Sequence, residues 1–295
     1  MPSYVIDAYR IPEIPGAGRL GRHIKVDSRS AAYPYQRRAD HLAPVEWPRH
    51  APIYDQGNLG SCTGNAEVGA MASDPLYPAL PAGHPALDET LAKVVYSWAE
   101  VLDGGAGLPG EDEGSSGQSV CQVAKVHGWI SGYTWCADMP TALDALMHGP
   151  ILLGVNWYTS FDTPDARGVV ALPKTATVRG GHEIVCRQYD GSDLLWCDNS
   201  WGTRFGKAGR FAFPTAVLER LFAEQGDCAV PLPLTAPAPV PVPVPDVVHV
   251  DAADRALAAA LPHGWPTGHH AGNNLHAARA VDAWERAKGL VPPHP

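Results

Sequence analysis

In the stretch Tyr54-Asp55-Gln56-Gly57-Asn58-Leu59-Gly60-Ser61-Cys62-Thr63-Gly64-Asn65-Ala66, a glycine-rich turn gives way to a helix at a cysteine. A thiol at a helix start faces unpaired backbone N–H groups and the positive end of the helix dipole, which lower its pKa and favour the thiolate. Cys62 is therefore the candidate nucleophile, and a nucleophile of this kind needs a base and a group that orients it.

Two downstream stretches supply them. Gly180-Gly181-His182-Glu183-Ile184-Val185 sets a histidine at the start of a predicted strand. Asp198-Asn199-Ser200-Trp201-Gly202 sets an asparagine at the end of the next strand. In cysteine hydrolases an imidazole takes the thiol proton, and an amide oxygen on its other nitrogen fixes ring orientation and tautomer. Cys62, His182 and Asn199 fit those roles in that chain order. A lone cysteine after glycine would ordinarily be structural; the weight here lies in the coincidence of all these parts. Glu183 and Asp198 are rival orienting groups beside the histidine and the asparagine.

From about residue 20 to 228 the sequence resembles the papain-like cysteine peptidases. The resemblance rests on Gln56 six residues before Cys62, on Gly181-His182, and on Asn199-Ser200-Trp201-Gly202. It implies that the Gln56 amide and the Cys62 N–H form an oxyanion hole, and that the Trp201 indole shields a His182–Asn199 hydrogen bond from water. Thr63 departs from the pattern, standing where an aromatic residue usually follows the nucleophile. Leu59 replaces a cysteine that many members carry. The Leu59-Gly60-Ser61-Cys62-Thr63 turn and the spacing from Tyr96 to Ser119 are similar to those of shorter bacterial and bacteriophage-encoded members.

The implied fold is α+β and two-lobed, helices first and antiparallel sheet second. The residues read the same way. Residues 62–72 carry small side chains and form a buried central helix ended by the Asp74-Pro75 step. Residues 89–102 place Leu91, Val94, Val95, Trp98 and Leu102 in one apolar stripe. Further helices are expected over 117–127 and 140–148, and strands over 151–157, 168–172, 183–189, 193–198 and 209–213. The acidic, glycine-rich stretch 104–117 reads as a solvated loop, and its carboxylates lack the oxygen-ligand alternation of a calcium loop. No cofactor or metal is expected.

Four units follow: an N-terminal segment, 1–50; a catalytic domain, 51–230; a linker, 231–246; and a small helical module, 247–295. The N-terminal segment shows no helical period and is expected to wrap the surface rather than fill the cleft, so no large propeptide holds activity off. Alternate prolines from 231 to 245 favour extended polyproline II, at roughly 3.1 Å per residue. The tail holds two helix candidates, capped by Asp251 and by Asn273 or Asn274, and is expected to find stability by docking on a partner. His263, His269, His270 and His276 match no zinc spacing and read as loop residues.

With 295 residues and 45% hydrophobic content the chain can fill a sizeable core, and a net charge of −9 argues against nucleic acid as a partner. No membrane span or secretory signal is legible. A cytoplasmic product is expected as synthesised, although virion association or release by lysis would leave the same sequence. Cys186 and Cys197 read as small buried hydrophobes on a predicted hairpin, not as a disulfide framework. The expected activity is peptide bond hydrolysis through an acyl-enzyme. The alternatives are a cell-wall peptide hydrolase or amidase, and a catalytically idle structural or binding component.

Overall fold

A cysteine-headed helix that must touch a sheet needs small residues, and α1 (Cys62–Met71) supplies them: all of its residues are buried. A methyl group added at Gly64 would lie 2.2 Å from the Ala92 carbonyl oxygen, so glycine is what lets α1 lie against α2 (Glu89–Leu102). The structure, a computed structural model, describes residues 18–23, 33–38 and 42–234. The linker beyond residue 234, the tail helices and the four tail histidines lie outside the described residues.

Before α1 comes the short strand β1 (Val45–Glu46). Asp88 caps α2 by accepting from the N–H groups of Thr90 and Leu91, and Ser116 caps α3 (Gly117–Val126) through the N–H of Ser119. Then follow β2 (Gly132–Cys136), α4 (Met139–Leu146, capped by Asp138), β3 (Ile151–Tyr158), β4 (Val178–Tyr189), β5 (Leu194–Asp198), β6 (Arg210–Pro214), α5 (Thr215–Ala223) and β7 (Asp227–Leu232). The strands form one antiparallel sheet in the order β2-β7-β3-β4-β5-β6, with β1 paired to the far end of β4.

Alternation along β3 divides the interior into two cores, because successive side chains leave a strand on opposite faces. Leu152 joins Val185 and Ala229 against α1, α2 and α3. Ile151, Leu153, Val155 and Trp157 join Ile184, Phe211, Phe213 and Cys228 on the other face, where α4 and α5 pack. The expected α+β class and the helical and sheet lobes are present. No helix among the described residues is long and apolar enough to cross a membrane.

Several expectations are corrected. The strand expected over 168–172 is a single bridge, Val169 to Ala212, before Pro173 breaks it. The helix α5 and the strands β1, β2 and β7 were not expected. β7 pairs with both β2 and β3, so the folded unit runs through Leu232. A chain cut at Ala229 would lose part of a strand. Cys186 and Cys197 lie directly opposite on β4 and β5 and form a disulfide, where two free thiols were expected. The acidic loop is solvated at Glu111 and Glu113, as expected, but docked at Asp112, which accepts from the Gly60 N–H at 2.8 Å and from the Tyr96 hydroxyl, tying the loop to the turn before Cys62.

Candidate active site

His182 and Asn199 are brought together. Nε2 of His182 lies 2.8 Å from Oδ1 of Asn199, and the same Oδ1 accepts the backbone N–H of Ser200 at 2.8 Å. A backbone N–H can only donate, so the amide oxygen is fixed in place; an oxygen can only accept, so Nε2 carries the proton. Nδ1 is then the unprotonated nitrogen, and it is buried without a hydrogen-bond partner. His182 lies inside β4 rather than at its start, the strand beginning four residues earlier at Val178.

The ring is enclosed by indoles. Trp201 stacks on it with centroids 4.9 Å apart, and Trp157 meets it edge-on at 4.7 Å. Trp201 stands where the resemblance predicted a shield. Trp157 was missed: within the apolar run of β3 nothing in the sequence distinguishes it from a core tryptophan.

The rival orienting groups serve elsewhere. Asp198 is held by three arginines, Arg49 and Arg187 on Oδ2 and Arg210 on Oδ1. Glu183 follows His182 on the strand and so points to the opposite face. Gln56 is buried and locked: its amide nitrogen donates to the Leu59 carbonyl at 2.7 Å, and its oxygen meets the Ser200 hydroxyl at 2.5 Å. That nitrogen carries two hydrogens, of which Leu59 takes one.

Cys62 heads α1 as expected, but its thiol is not activated. It is fully buried, and burial pushes its pKa up to about 12, although backbone groups of Glu183, Gly21 and Thr63 pull the other way. Burial likewise lowers His182 to about 3, against the Asn199 bond that favours its charged form; Arg179 and Arg22 add to the lowering. The helix-start argument gave the opposite direction for the cysteine because it assumed solvent at the thiol.

The solvent is excluded by the chain itself. Residues Gly18 to His23 cross between the lobes over Cys62. On one side Ser115 donates to the Gly21 carbonyl at 2.9 Å and accepts from the His23 N–H at 2.9 Å, while Arg19 reaches Asp112 at 3.4 Å. On the other, Arg22 N–H donates to the Gly181 carbonyl at 3.2 Å, the Trp201 indole donates to the Arg19 carbonyl at 3.2 Å, and Arg179 donates to the Gly18 carbonyl at 2.5 Å. The N-terminal segment thus does not only wrap the surface. Residues 33–35 do run along the edge of β2, and Val45 and Glu46 along β4, but 18–23 lie in the cleft. No helical period announced this, because the segment binds in extended form through backbone groups that any sequence carries.

The fold is shared with known proteins. Xylellain, a cysteine protease from Xylella fastidiosa, superposes with a TM-score of 0.59 at 19% identity, covering 76% of this chain and all of that one. The proform of the Amb a 11 cysteine protease, a ragweed pollen allergen, gives 0.55 at 16% identity over 76% of this chain and 68% of its own. Procathepsin L 3 of Tenebrio molitor larval midgut gives 0.52 at 16% identity over 72% and 75%. No family model and no curated protein sequence matches the chain. At these identities the likeness establishes a papain-like fold.

Proposed function

We propose that the chain is a cysteine peptidase, described here in a closed form. The observation that carries the reading is the proton placement on His182: with Nε2–H fixed on Asn199, the free lone pair of Nδ1 is the one that can take the thiol proton. Cys62 lies against Glu183, one residue along β4 from that imidazole.

Once the segment over the cleft is displaced, Cys62 gives its proton to His182 Nδ1, and the thiolate attacks the carbonyl carbon of a peptide bond. The resulting oxyanion is held by the Cys62 N–H and the second amide hydrogen of Gln56. Collapse breaks the C–N bond, with the His182 proton leaving on the amine. Water, deprotonated by His182, then hydrolyses the thioester and restores the thiol. Asn199 keeps the imidazole in one tautomer throughout, and Trp157 and Trp201 keep water from competing for its bond. Internal cleavage, as an endopeptidase, is the expected mode. Kinship with bacteriophage-encoded members rests on the Leu59-to-Thr63 turn and the Tyr96-to-Ser119 spacing alone.

A second reading, a catalytically idle papain-like component, draws support from the complete burial of Cys62 and His182. An epoxide thiol reagent and a peptide library separate the two. The peptidase reading expects slow labelling at Cys62 and cleavage that vanishes in Cys62→Ala with the melting temperature retained. Cleavage that persists in Cys62→Ala removes this cysteine from the mechanism. A Cys62 that stays unlabelled after the cleft is opened establishes the idle component.

A further inference from the structure

The side chain of Arg22 leaves the cleft segment and enters the space between α3 and the sheet. There its Nε lies 3.3 Å from Oε2 of Glu183, and one terminal nitrogen lies 2.6 Å from Oδ2 of Asp227 and 3.4 Å from the Gln225 carbonyl oxygen. The guanidinium is buried, at 1% exposure. Gly154 pairs with Glu183 on one side and with Asp227 on the other, so the three form one row across β4, β3 and β7 on the face toward the helices. The room is made by absent side chains. A methyl group on Gly154 would come within 2.1 Å of Arg22 Nε, and one on Gly117 within 2.6 Å of Glu183 Oε1.

The pocket opens beside the nucleophile. Gly21, the residue before Arg22, contacts the Cys62 thiol, and the backbone of Glu183 does so from the other side. Arg22 also belongs to the stretch that any bound peptide must displace. Burial and the neighbouring Asp227 hold the Glu183 carboxyl well above the usual carboxylate range, so when Arg22 leaves, Glu183 keeps a proton and Asp227 loses its closest cation. A cationic ligand that takes the place of the segment restores the pairing with Asp227 and lets Glu183 give up its proton. Carboxyl groups that meet two different guanidinium nitrogens, Glu183 at Nε and Asp227 at a terminal nitrogen, suit the planar, multiply donating guanidinium better than the compact ammonium of lysine.

We propose that the Glu183–Gly154–Asp227 row is a substrate pocket selective for an arginine side chain, with Arg22 as its internal occupant; this rests on the peptidase reading of the same cleft. The free-energy consequences support it. Burial opposes charge on Arg22, yet Asp227 and Glu183 hold its pKa above the ordinary value.

The pocket is tested without catalysis in the full chain carrying Arg22→Ala. Its melting temperature should rise with millimolar N-acetyl-arginine amide and not with N-acetyl-citrulline amide, which has the same shape without the charge. If the variant does not fold alone, recovery of a melting transition with the arginine compound only is the same positive result. Equal effects of the two compounds, or none from either, overturn the proposal. Cleavage of a peptide library by the same variant should enrich arginine at one substrate position, and Asp227→Asn added to it should cut that enrichment by at least about tenfold. Cleavage with no basic preference overturns the pocket and leaves the peptidase reading standing. Arginine-specific stabilisation without any cleavage supports the pocket and overturns the peptidase reading.

Discussion

The closure of the cleft can be broken at one atom. A β-carbon on Gly21 would sit 1.8 Å from the Gly60 carbonyl oxygen, so Gly21→Ala must lift the segment by roughly 1.5 Å to restore ordinary contact. The turn cannot yield easily, because the Gly60 N–H is anchored on Asp112 at 2.8 Å. A lift of that size takes the 2.9 Å bond from Ser115 N–H to the Gly21 carbonyl beyond hydrogen-bonding range and admits water to Cys62. With its pKa at about 12, the buried thiol is ionised to about one part in 10⁵ at pH 7. An ordinary solvated cysteine would be about 3% ionised, a gain of about 3,000-fold in thiolate. The assay is the rate of iodoacetamide modification at pH 7, read by peptide mass spectrometry, with the buried Cys121, Cys136 and Cys228 as internal controls. Gly21→Ala should be modified at Cys62 at least about a hundredfold faster than the parent chain, both assayed well below the variant's melting temperature, which falls because the lift also loosens Arg22 from Glu183 and Asp227. Equal rates in the folded variant would refute the claim that residues 18–23 silence the thiol.

Three further outcomes are expected. In the Gly21→Ala background, Gln56→Ala should lower kcat by roughly 10²-fold with little change in KM, as loss of an oxyanion donor does; a change confined to KM would point to substrate binding. Burial raises the Glu67 carboxyl from 4.5 to about 7, its contact with the Cys121 thiol opposing this, so the folded state keeps a proton that the unfolded state loses as pH rises through that window. Stability therefore falls from pH 4.5 to 7, and Glu67→Gln should gain about 3 kcal/mol relative to the parent between pH 4 and pH 8, measured by urea midpoints; a pH-independent difference would contradict it. Titration of the denatured, unreduced chain with a thiol reagent should find four thiols among the six cysteines, and six would exclude the Cys186–Cys197 bond.

What the sequence disclosed was local chemistry in a fixed order. The stripe from Leu91 to Leu102 marked α2, and Asn199-Ser200-Trp201 placed the acceptor and the shield of His182. Short elements were lost where their neighbours masked them. β7 runs into the proline-rich stretch, and α5 shows only Leu218 and Leu221 as buried residues over nine positions. The state of the site was illegible for a different reason. Whether a thiol at a helix start is ionised depends on what covers it, and the cover comes from residues forty positions upstream through backbone contacts that carry no sequence signature. The ion pairing of Arg22 with Asp227 joins residues 205 apart in the chain. No spacing argument reaches that far.

Because side chains alternate along a strand, His182 and Glu183 are neighbours in sequence and strangers in environment. Val155, His182 and Cys228 face the sheet-lobe side, while Gly154, Glu183 and Asp227 face the helical side. Under the proposed peptidase and pocket readings, chemistry and selection are thereby written on alternate letters of neighbouring strands. Exchanges at 154, 183 and 227 can rewrite which side chain the cleft accepts without disturbing the packing beneath the imidazole. A matching exchange at 22 would keep the closed form intact. A fold wired in this way can change its diet in single steps while its reaction stays constant.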